Sequence, residues 1–200
     1  FVVVLLILVF SYGSFIGKVK VTQEDKELLE AVDEALKSLD QRYFYYDPTL
    51  KRHILKVDVL FASNDSIILQ ESIEPLITAG RILYEKLDSL QKNTKSANLE
   101  FLVILEGNTA ISYIEGGVTN KSKSPDTGYR LSFARALSLF NLWKNNGLNF
   151  RDNFERIELI VAGSGYFGKS RDPQNEARNR RFTIQITPKI QRKAAISDSL

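Results

Sequence analysis

Two arginine-bearing segments contain the residue types most suited to chemistry in this chain. Arg135 lies within Leu131–Ala136, at the start of a predicted helix, and the second segment, Asn179–Arg181, opens a predicted strand. A third segment, Glu106–Ala110, closes a strand upstream of both. Because a guanidinium is planar and can donate two parallel hydrogen bonds, the chemistry open to these arginines is the binding of carboxylates.

The sequence does not contain an arrangement of residues typical of catalysis. It has no cysteine and one histidine, His53, so nucleophiles such as Ser132 and Ser164 have no base that could activate both. The same composition excludes disulfides and a cysteine-based zinc site. We therefore expect a protein that is not an enzyme and that has neither a metal nor a cofactor.

The segment Gly163–Gly168 follows a predicted strand and matches the pattern G-x-G-x-x-G. A dinucleotide site needs a helix directly after this pattern and an acidic residue about 20 positions further on. Here the residues that follow are Lys-Ser-Arg-Asp-Pro-Gln, and the last predicted strand begins soon after them. The pattern therefore predicts a tight loop and no nucleotide.

The overall charge is nearly balanced. The chain has 27 basic and 24 acidic residues, which gives a formal net charge of +3. Much of the excess comes from one stretch, Arg171–Lys193. Such a small net charge produces no global field that would favour nucleic acid, so no nucleic-acid partner is predicted.

The first segment, residues 1–17, contains no charged side chain. A helix of this length spans roughly 25 Å, slightly less than a hydrocarbon core of about 30 Å, so a few upstream residues would complete a membrane span. The chain has no methionine, in agreement with a missing start. We therefore expect an N-terminally truncated transmembrane helix at 1–17. A cleaved signal peptide and a buried soluble helix are the alternatives.

Residues 18–54 are predicted to form a helical neck and a linker. The stretch from Thr22 to Leu39 has the apolar spacing of an amphipathic helix, which either continues the membrane helix outward or folds onto the domain. The aromatic run Tyr43–Tyr46 favours a short strand or a packed linker over a binding platform.

Regular strand and helix patterns begin at residue 54 and continue almost to the end of the chain. Strands are predicted at 54–61, 99–105, 157–162 and 181–187, and helices at 71–90 and 129–146. This order predicts an α+β two-layer sandwich, a β-α-β-α-β-(α)-β mixed sheet with its helices on one face, over residues 55–190. The polar end, 191–200, is predicted to be a flexible tail.

Five short motifs occur in order within residues 55–190. A strand ends in Gly107-Asn108-Thr109-Ala110, and a helix begins with Leu-Ser-x-x-Arg-Ala at Leu131–Ala136. A Gly-x-Gly loop at Gly163–Gly165, Pro173 and Asn-Arg-Arg at Asn179–Arg181 follow. Together they resemble the OmpA-like, peptidoglycan-binding domain family, in which the first motif reads Gly-His-Thr-Asp. The resemblance covers most of the chain and implies an OmpA-like fold.

The resemblance also implies a ligand and the residues that contact it. The family binds the peptide stem of peptidoglycan, usually through diaminopimelate, whose free end is a zwitterion. By position, Arg135 is implied to bind the carboxylate, with help from the amides at the start of its helix. Arg181 and Asn179 are implied to line the same pocket, together with Asn108 and Thr109.

Two positions depart from the family pattern. Ala110 stands where the family has the aspartate that binds the ammonium group, and Gly128 stands where it has an asparagine. Losing one charge-assisted hydrogen bond weakens binding by roughly 10- to 100-fold. Glu106, Glu115 and Asp126 are candidate substitutes. Retained binding of peptidoglycan and a repurposed pocket are both open at this point.

The arrangement of an apolar anchor, a helical neck and an OmpA-like domain is similar to the MotB and ZorB families, the B subunits of flagellar and anti-phage motors. That resemblance implies a single-pass protein of the bacterial inner membrane with a periplasmic C-terminal domain. It also implies a homodimer surrounded by a ring of multi-span partner subunits. Residues 1–17 contain no acidic residue, so an ion-carrying aspartate would lie upstream. The alternative is an envelope scaffold without a motor partner.

Overall fold

The chain divides into two compact units, Phe1–Lys37 and Ser38–Leu200. The computed structural model describes residues 23, 26–62, 65–93, 99–110, 125–172 and 174–190. In the first unit, residues 26–37 form helix α1, which lies inside the predicted amphipathic helix. The predicted transmembrane helix at 1–17 and the predicted tail at 191–200 lie outside the described residues. Within the described ranges, no helix is both long enough and apolar enough to span a membrane.

The second unit is a mixed sheet with two long helices. In its described part the elements are β1 (Phe44–Asp47), β2 (Arg52–Leu55), α2 (Gln70–Asn93), β3 (Leu99–Gly107), α3 (Pro125–Asn145), β4 (Ile157–Gly163), a short 3-10 helix (Glu176–Asn179) and β5 (Phe182–Ile190). The strand order is β1-β2-β5-β3-β4. Strands β3 and β4 are parallel, and the other neighbours are antiparallel. The prediction of an α+β fold with a mixed sheet is therefore confirmed.

Both helices contribute to a core on one face of the sheet. Residues of β3 alternate between buried and half-buried, as expected for a strand with one covered face. The Trp143 indole of α3 donates a hydrogen bond of 2.8 Å to the Leu76 carbonyl of α2, and both residues are buried. The contact joins α2 to α3 and buries the aromatic ring. Because the indole N–H has an acceptor, no unpaired donor remains at this point of the core.

The sheet begins earlier in the chain than the sequence predicts. The aromatic run contributes β1, and β1 pairs with β2, so residues 44–55 belong to the sheet. A turn joins the two strands: the Asp47 carboxylate accepts hydrogen bonds from the backbone of Thr49 and Leu50, and Lys51 has a φ of 50°. The predicted strand at 54–61 correspondingly ends at Leu55 and resumes only as an isolated bridge between Phe61 and Ile68.

Candidate anion-binding site

Helix α3 lies directly against the end of β3, where the predicted site residues cluster. Gly107 permits this contact, because a Cβ there would lie 2.1 Å from the Ser132 carbonyl oxygen. The Ser132 hydroxyl is buried, donates to the Tyr129 carbonyl at 3.0 Å and accepts from the Gly165 amide at 2.9 Å. The Leu-Ser-x-x-Arg-Ala motif therefore uses its serine to fix the loop after β4, and this contact sets the position of Arg135 three residues later.

Asn108 and Thr109 are buried and bonded within the protein. The Asn108 side chain donates from Nδ2 to the Arg181 carbonyl at 3.4 Å, beside a backbone bond of 3.0 Å between the same residues, and its Oδ1 accepts from the Ser164 hydroxyl at 2.8 Å. The Thr109 hydroxyl donates to the Gly165 carbonyl at 2.9 Å. The two side chains thus join the end of β3 to the start of β5 and to the loop after β4.

Asn179 is fully buried and closes the loop that precedes β5. Its Oδ1 accepts from the Asp172 N–H at 2.7 Å, and its Nδ2 donates to the Asp172 carbonyl at 3.0 Å. The Asn179 side-chain amide thus exchanges two hydrogen bonds with the Asp172 backbone, as a neighbouring strand would, and this pairing fixes the chain just before Arg180 and Arg181. In the structure, the Asn179 side chain faces its own loop.

Arg171 is a buried element of the site that the sequence motifs do not indicate. Its Nη1 donates to the Thr109 carbonyl at 2.8 Å, and its Nη2 lies 2.5 and 2.6 Å from the two carboxylate oxygens of Glu176. Both side chains are largely buried, so the pair braces the loop against the end of β3. Only the three-dimensional pairing reveals this role, because both residues precede the Asn-Arg-Arg motif in an irregular segment.

Arg135 is the predicted ligand-binding residue with the most unusual surroundings. Its side chain is 5% exposed, and its guanidinium carbon lies 4.3 Å from the centroid of the Phe61 ring. Its Nε donates to the Asp65 carbonyl at 3.1 Å. In the described part of the chain, no carboxylate forms an ion pair with it. Burial, and secondarily the charge of Arg180, lowers the pKa of Arg135 to about 10, so it stays charged at neutral pH.

The structure places Arg180, and not Arg181, in the surroundings of Arg135. The charges that reach Arg135 belong to Arg180, Tyr166 and Asp65. Those that reach Arg181 belong to a different set, namely Asp172, Arg178, Arg171 and Asp47, and burial lowers its pKa. The expectation that Arg135 and Arg181 share one pocket gains no support from these surroundings.

One further expectation about Arg135 is corrected. Helix α3 begins at Pro125, so Arg135 lies ten residues into it, about 15 Å from the helix start. The amides and dipole of the first turn act only within that turn, so they do not assist Arg135. Gly128 is required by packing, because a Cβ there would lie 2.5 Å from the Tyr166 ring.

The candidate substitutes for the missing aspartate lie in different places. Glu106 lies on the sheet face opposite α3, where it accepts from Arg52 at 2.7 Å and from Thr183 at 2.9 Å. Asp126 is exposed in the first turn of α3. Glu115 lies outside the described residues. The Glu106 carboxylate is therefore already bonded within the protein, to Arg52 and Thr183.

The loop Gly163–Gly168 has the tight geometry that the sequence predicts. Gly165 has a φ of 60°, and the described helical turn that follows the loop is the 3-10 helix at Glu176–Asn179. A helix directly after the glycines, which a dinucleotide site requires, is replaced by a turn at residues 169–170. The interpretation of the segment as a loop is confirmed.

Comparisons with known proteins give structural likenesses at low identity. Scans against protein-family models and against curated proteins give no match. The periplasmic domain of Helicobacter pylori MotB is 16% identical, covers 70% of this chain and 74% of its own, and has a TM-score of 0.41. The peptidoglycan-associated lipoprotein of Burkholderia pseudomallei is 14% identical (64% and 88% covered, TM-score 0.40). The OmpA-like domain of FopA1 from Francisella tularensis is 15% identical (72% and 76%, TM-score 0.42).

None of these three proteins is described as an enzyme. Identities of this size, with TM-scores near 0.4, leave any assignment of function to the residues and geometry of the chain itself.

Proposed function

We propose that the second unit is a peptidoglycan-binding domain in which Arg135 binds a carboxylate of the peptide stem. The observation that carries this proposal is a charged side chain that is 5% exposed and has no described carboxylate partner. Removing a charge from water without a partner costs several kcal/mol, so a bound anion would stabilise Arg135. The OmpA-like motif set in residues 55–190 favours a peptidoglycan carboxylate as that anion.

The other predicted site residues serve this guanidinium in different ways. Arg180 is exposed beside Arg135 and adds positive potential that attracts an anion. Arg181, at the same end of β5, is half-buried and interacts with a different set of charges. Asn108, Thr109 and Asn179 hold the three chain segments that meet there. We therefore assign contact with the ligand to Arg135, positive potential at the site to Arg180, and positioning to the asparagines and the threonine.

Co-sedimentation with purified peptidoglycan tests the proposal. The 200-residue chain, kept in detergent because of its apolar first segment, should pellet with peptidoglycan. Arg135→Ala should weaken this binding by about 10- to 100-fold, because a charge-assisted bond is lost. Arg135→Lys keeps the charge but loses the planar fork, so its affinity should lie between the two. Thermal denaturation of each variant checks that the fold is retained.

The outcome that contradicts the proposal is equally specific. Wild type that stays in the supernatant at every protein concentration shows that this unit does not bind the wall. Arg151 provides the matched control, because it is an exposed arginine that none of the described contacts of the site involves, and Arg151→Ala should pellet as wild type does. Equal losses in Arg151→Ala and Arg135→Ala would mean that binding depends on net charge alone.

We further propose that the chain is a membrane-anchored wall tether and the B subunit of an ion-driven motor. In this proposal the membrane helices of a dimer pass through a ring of multi-span partner subunits, and the periplasmic domains bind the peptidoglycan of the cell wall. The support is the order of an apolar segment, a helix and the peptidoglycan-binding unit along the sequence. The subunit then acts as a fixed point against which the ring generates torque.

The motor role makes a prediction that an envelope scaffold does not. Native mass spectrometry of the full-length protein purified from membranes should show two copies of this chain with a larger number of one multi-span protein. An aspartate in the membrane helix, upstream of Phe1, should accompany it. A dimer or monomer without such a partner, and without that aspartate, would leave the scaffold as the function.

A further inference from the structure

Asp65 is fixed beside Arg135 although 70 residues separate them in sequence. Its backbone carbonyl accepts the Arg135 Nε–H at 3.1 Å, and its Oδ1 accepts the Ser66 N–H at 2.6 Å. The residue lies between Phe61, on which Arg135 stacks, and the start of α2. Both the backbone and the side chain of Asp65 are therefore held in place at the edge of the arginine site.

The backbone of Asp65 contacts Arg135, and among the described contacts no ion pair joins the Asp65 carboxylate to the guanidinium. Burial lowers the pKa of Arg135, and the charge of Asp65 opposes that shift. The guanidinium is instead bonded through Nε to the carbonyl of the same residue. The Asp65 carboxylate and the Arg135 guanidinium therefore belong to one region of the structure without forming a direct ion pair.

The other carboxylates near this end of the sheet are engaged elsewhere. Glu176 binds Arg171, and Glu106 binds Arg52 on the opposite face. The Asp172 carboxylate accepts from the backbone N–H groups of Gln174 and Asn175. Among the described acidic residues, Asp65 is the one with a hydrogen bond to Arg135.

We infer that Asp65 binds the ammonium group of the ligand whose carboxylate Arg135 binds. The inference rests on the proposed function and names the ligand class of the same site, an amino-acid head group with its two charges on one carbon. Asp65 then takes the task that Ala110 cannot perform. The side chain comes from the segment before α2 instead of from the end of β3, so the motif around Ala110 does not reveal it.

Chemical removal of the ligand's ammonium groups tests this assignment. Acetylating the free amines of purified peptidoglycan removes their charge and leaves the carboxylates in place. Wild type should bind acetylated peptidoglycan about 10- to 100-fold more weakly than the native material. Asp65→Asn should show the weakened affinity on native peptidoglycan and no further loss on the acetylated form. Asparagine keeps the backbone carbonyl and a side-chain acceptor for Ser66, so both contacts of Asp65 are retained.

The control is Asp126→Asn, which changes an exposed carboxylate in the first turn of α3 and should behave as wild type on both preparations. The assignment is overturned if Asp65→Asn remains as sensitive to acetylation as wild type. It is also overturned if Asp126→Asn loses that sensitivity. Failure of the proposed function has a different signature: wild type then stays in the supernatant with native and acetylated peptidoglycan alike, and the inference fails with it.

Discussion

Arg135 and Arg171 are two interior arginines at the same end of the sheet, and their partners differ. Arg171 directs its guanidinium to both oxygens of Glu176 and to the Thr109 carbonyl, so the protein itself satisfies it. Arg135 has one described hydrogen bond, from Nε to a carbonyl, and rests on the Phe61 ring. The difference teaches that burial alone does not identify a ligand-binding arginine. The informative property is burial without a carboxylate.

The largest effect should come from breaking the satisfied arginine. Arg171→Met leaves Glu176 largely buried without its partner, and loss of one member of a buried pair destabilises by about 3 kcal/mol. Urea denaturation should show this decrease in the free energy of unfolding. An unfolding free energy equal to that of wild type would mean that the pair does not brace the loop.

Arg135→Met sharpens the contrast, because it should affect binding and not stability. The lost hydrogen bond contributes about 1 kcal/mol, and removal of a buried charge without a carboxylate partner offsets it. The free energy of unfolding should therefore change by less than about 1 kcal/mol, while affinity for peptidoglycan falls by about 10- to 100-fold. A destabilisation as large as that of Arg171→Met would show that Arg135 is a structural residue.

The pH dependence of binding follows from the pKa of Arg135. Burial lowers that pKa well below its ordinary value, to about 10, so peptidoglycan affinity should lose the contribution of Arg135 as the pH rises through about 10. In that range the unfolded chain holds more protons at this residue than the folded chain, so deprotonation of Arg135 favours the folded state. Circular dichroism recorded alongside the binding curve distinguishes loss of charge from unfolding caused by other groups. An affinity that is independent of Arg135 at pH 8 would contradict the role of its charge.

The smallest effect should come from the exposed neighbour. Arg180→Gln removes an exposed positive charge near Arg135. Exposed charges contribute at most about 1 kcal/mol, so the affinity for peptidoglycan should fall by about two- to fivefold. The dependence of binding on salt should weaken at the same time. Sedimentation at low and high salt checks both expectations. A loss as large as that of Arg135→Met would make Arg180 the principal contact.

Periodicity predicts the elements of the second unit from α2 onward, because α2, α3 and β3–β5 have long apolar patterns. It does not resolve β1 and β2, since each has only four residues, and the aromatic run that contains β1 is equally compatible with a linker. Their pairing depends on a turn and on a distant strand, β5. The apolar pattern of the local sequence indicates neither the turn nor the pairing with β5.

The site was predictable in part. The motifs identify Arg135, but they do not separate Arg180 from Arg181, whose surrounding charges differ in the structure. Asp65 carries no such signal, because it lies in a polar break and meets Arg135 only through the fold. The start of α3 at Pro125 was missed as well, since the polar residues before Tyr129 resemble a loop.

A crystal structure of the chain with a peptidoglycan stem peptide that carries diaminopimelate tests the central claim most directly. The account predicts that a ligand carboxylate contacts the guanidinium of Arg135 and that the ammonium on the same carbon contacts the carboxylate of Asp65. A ligand bound on the opposite face of the sheet, near Arg52 and Glu106, with Arg135 untouched, would contradict it.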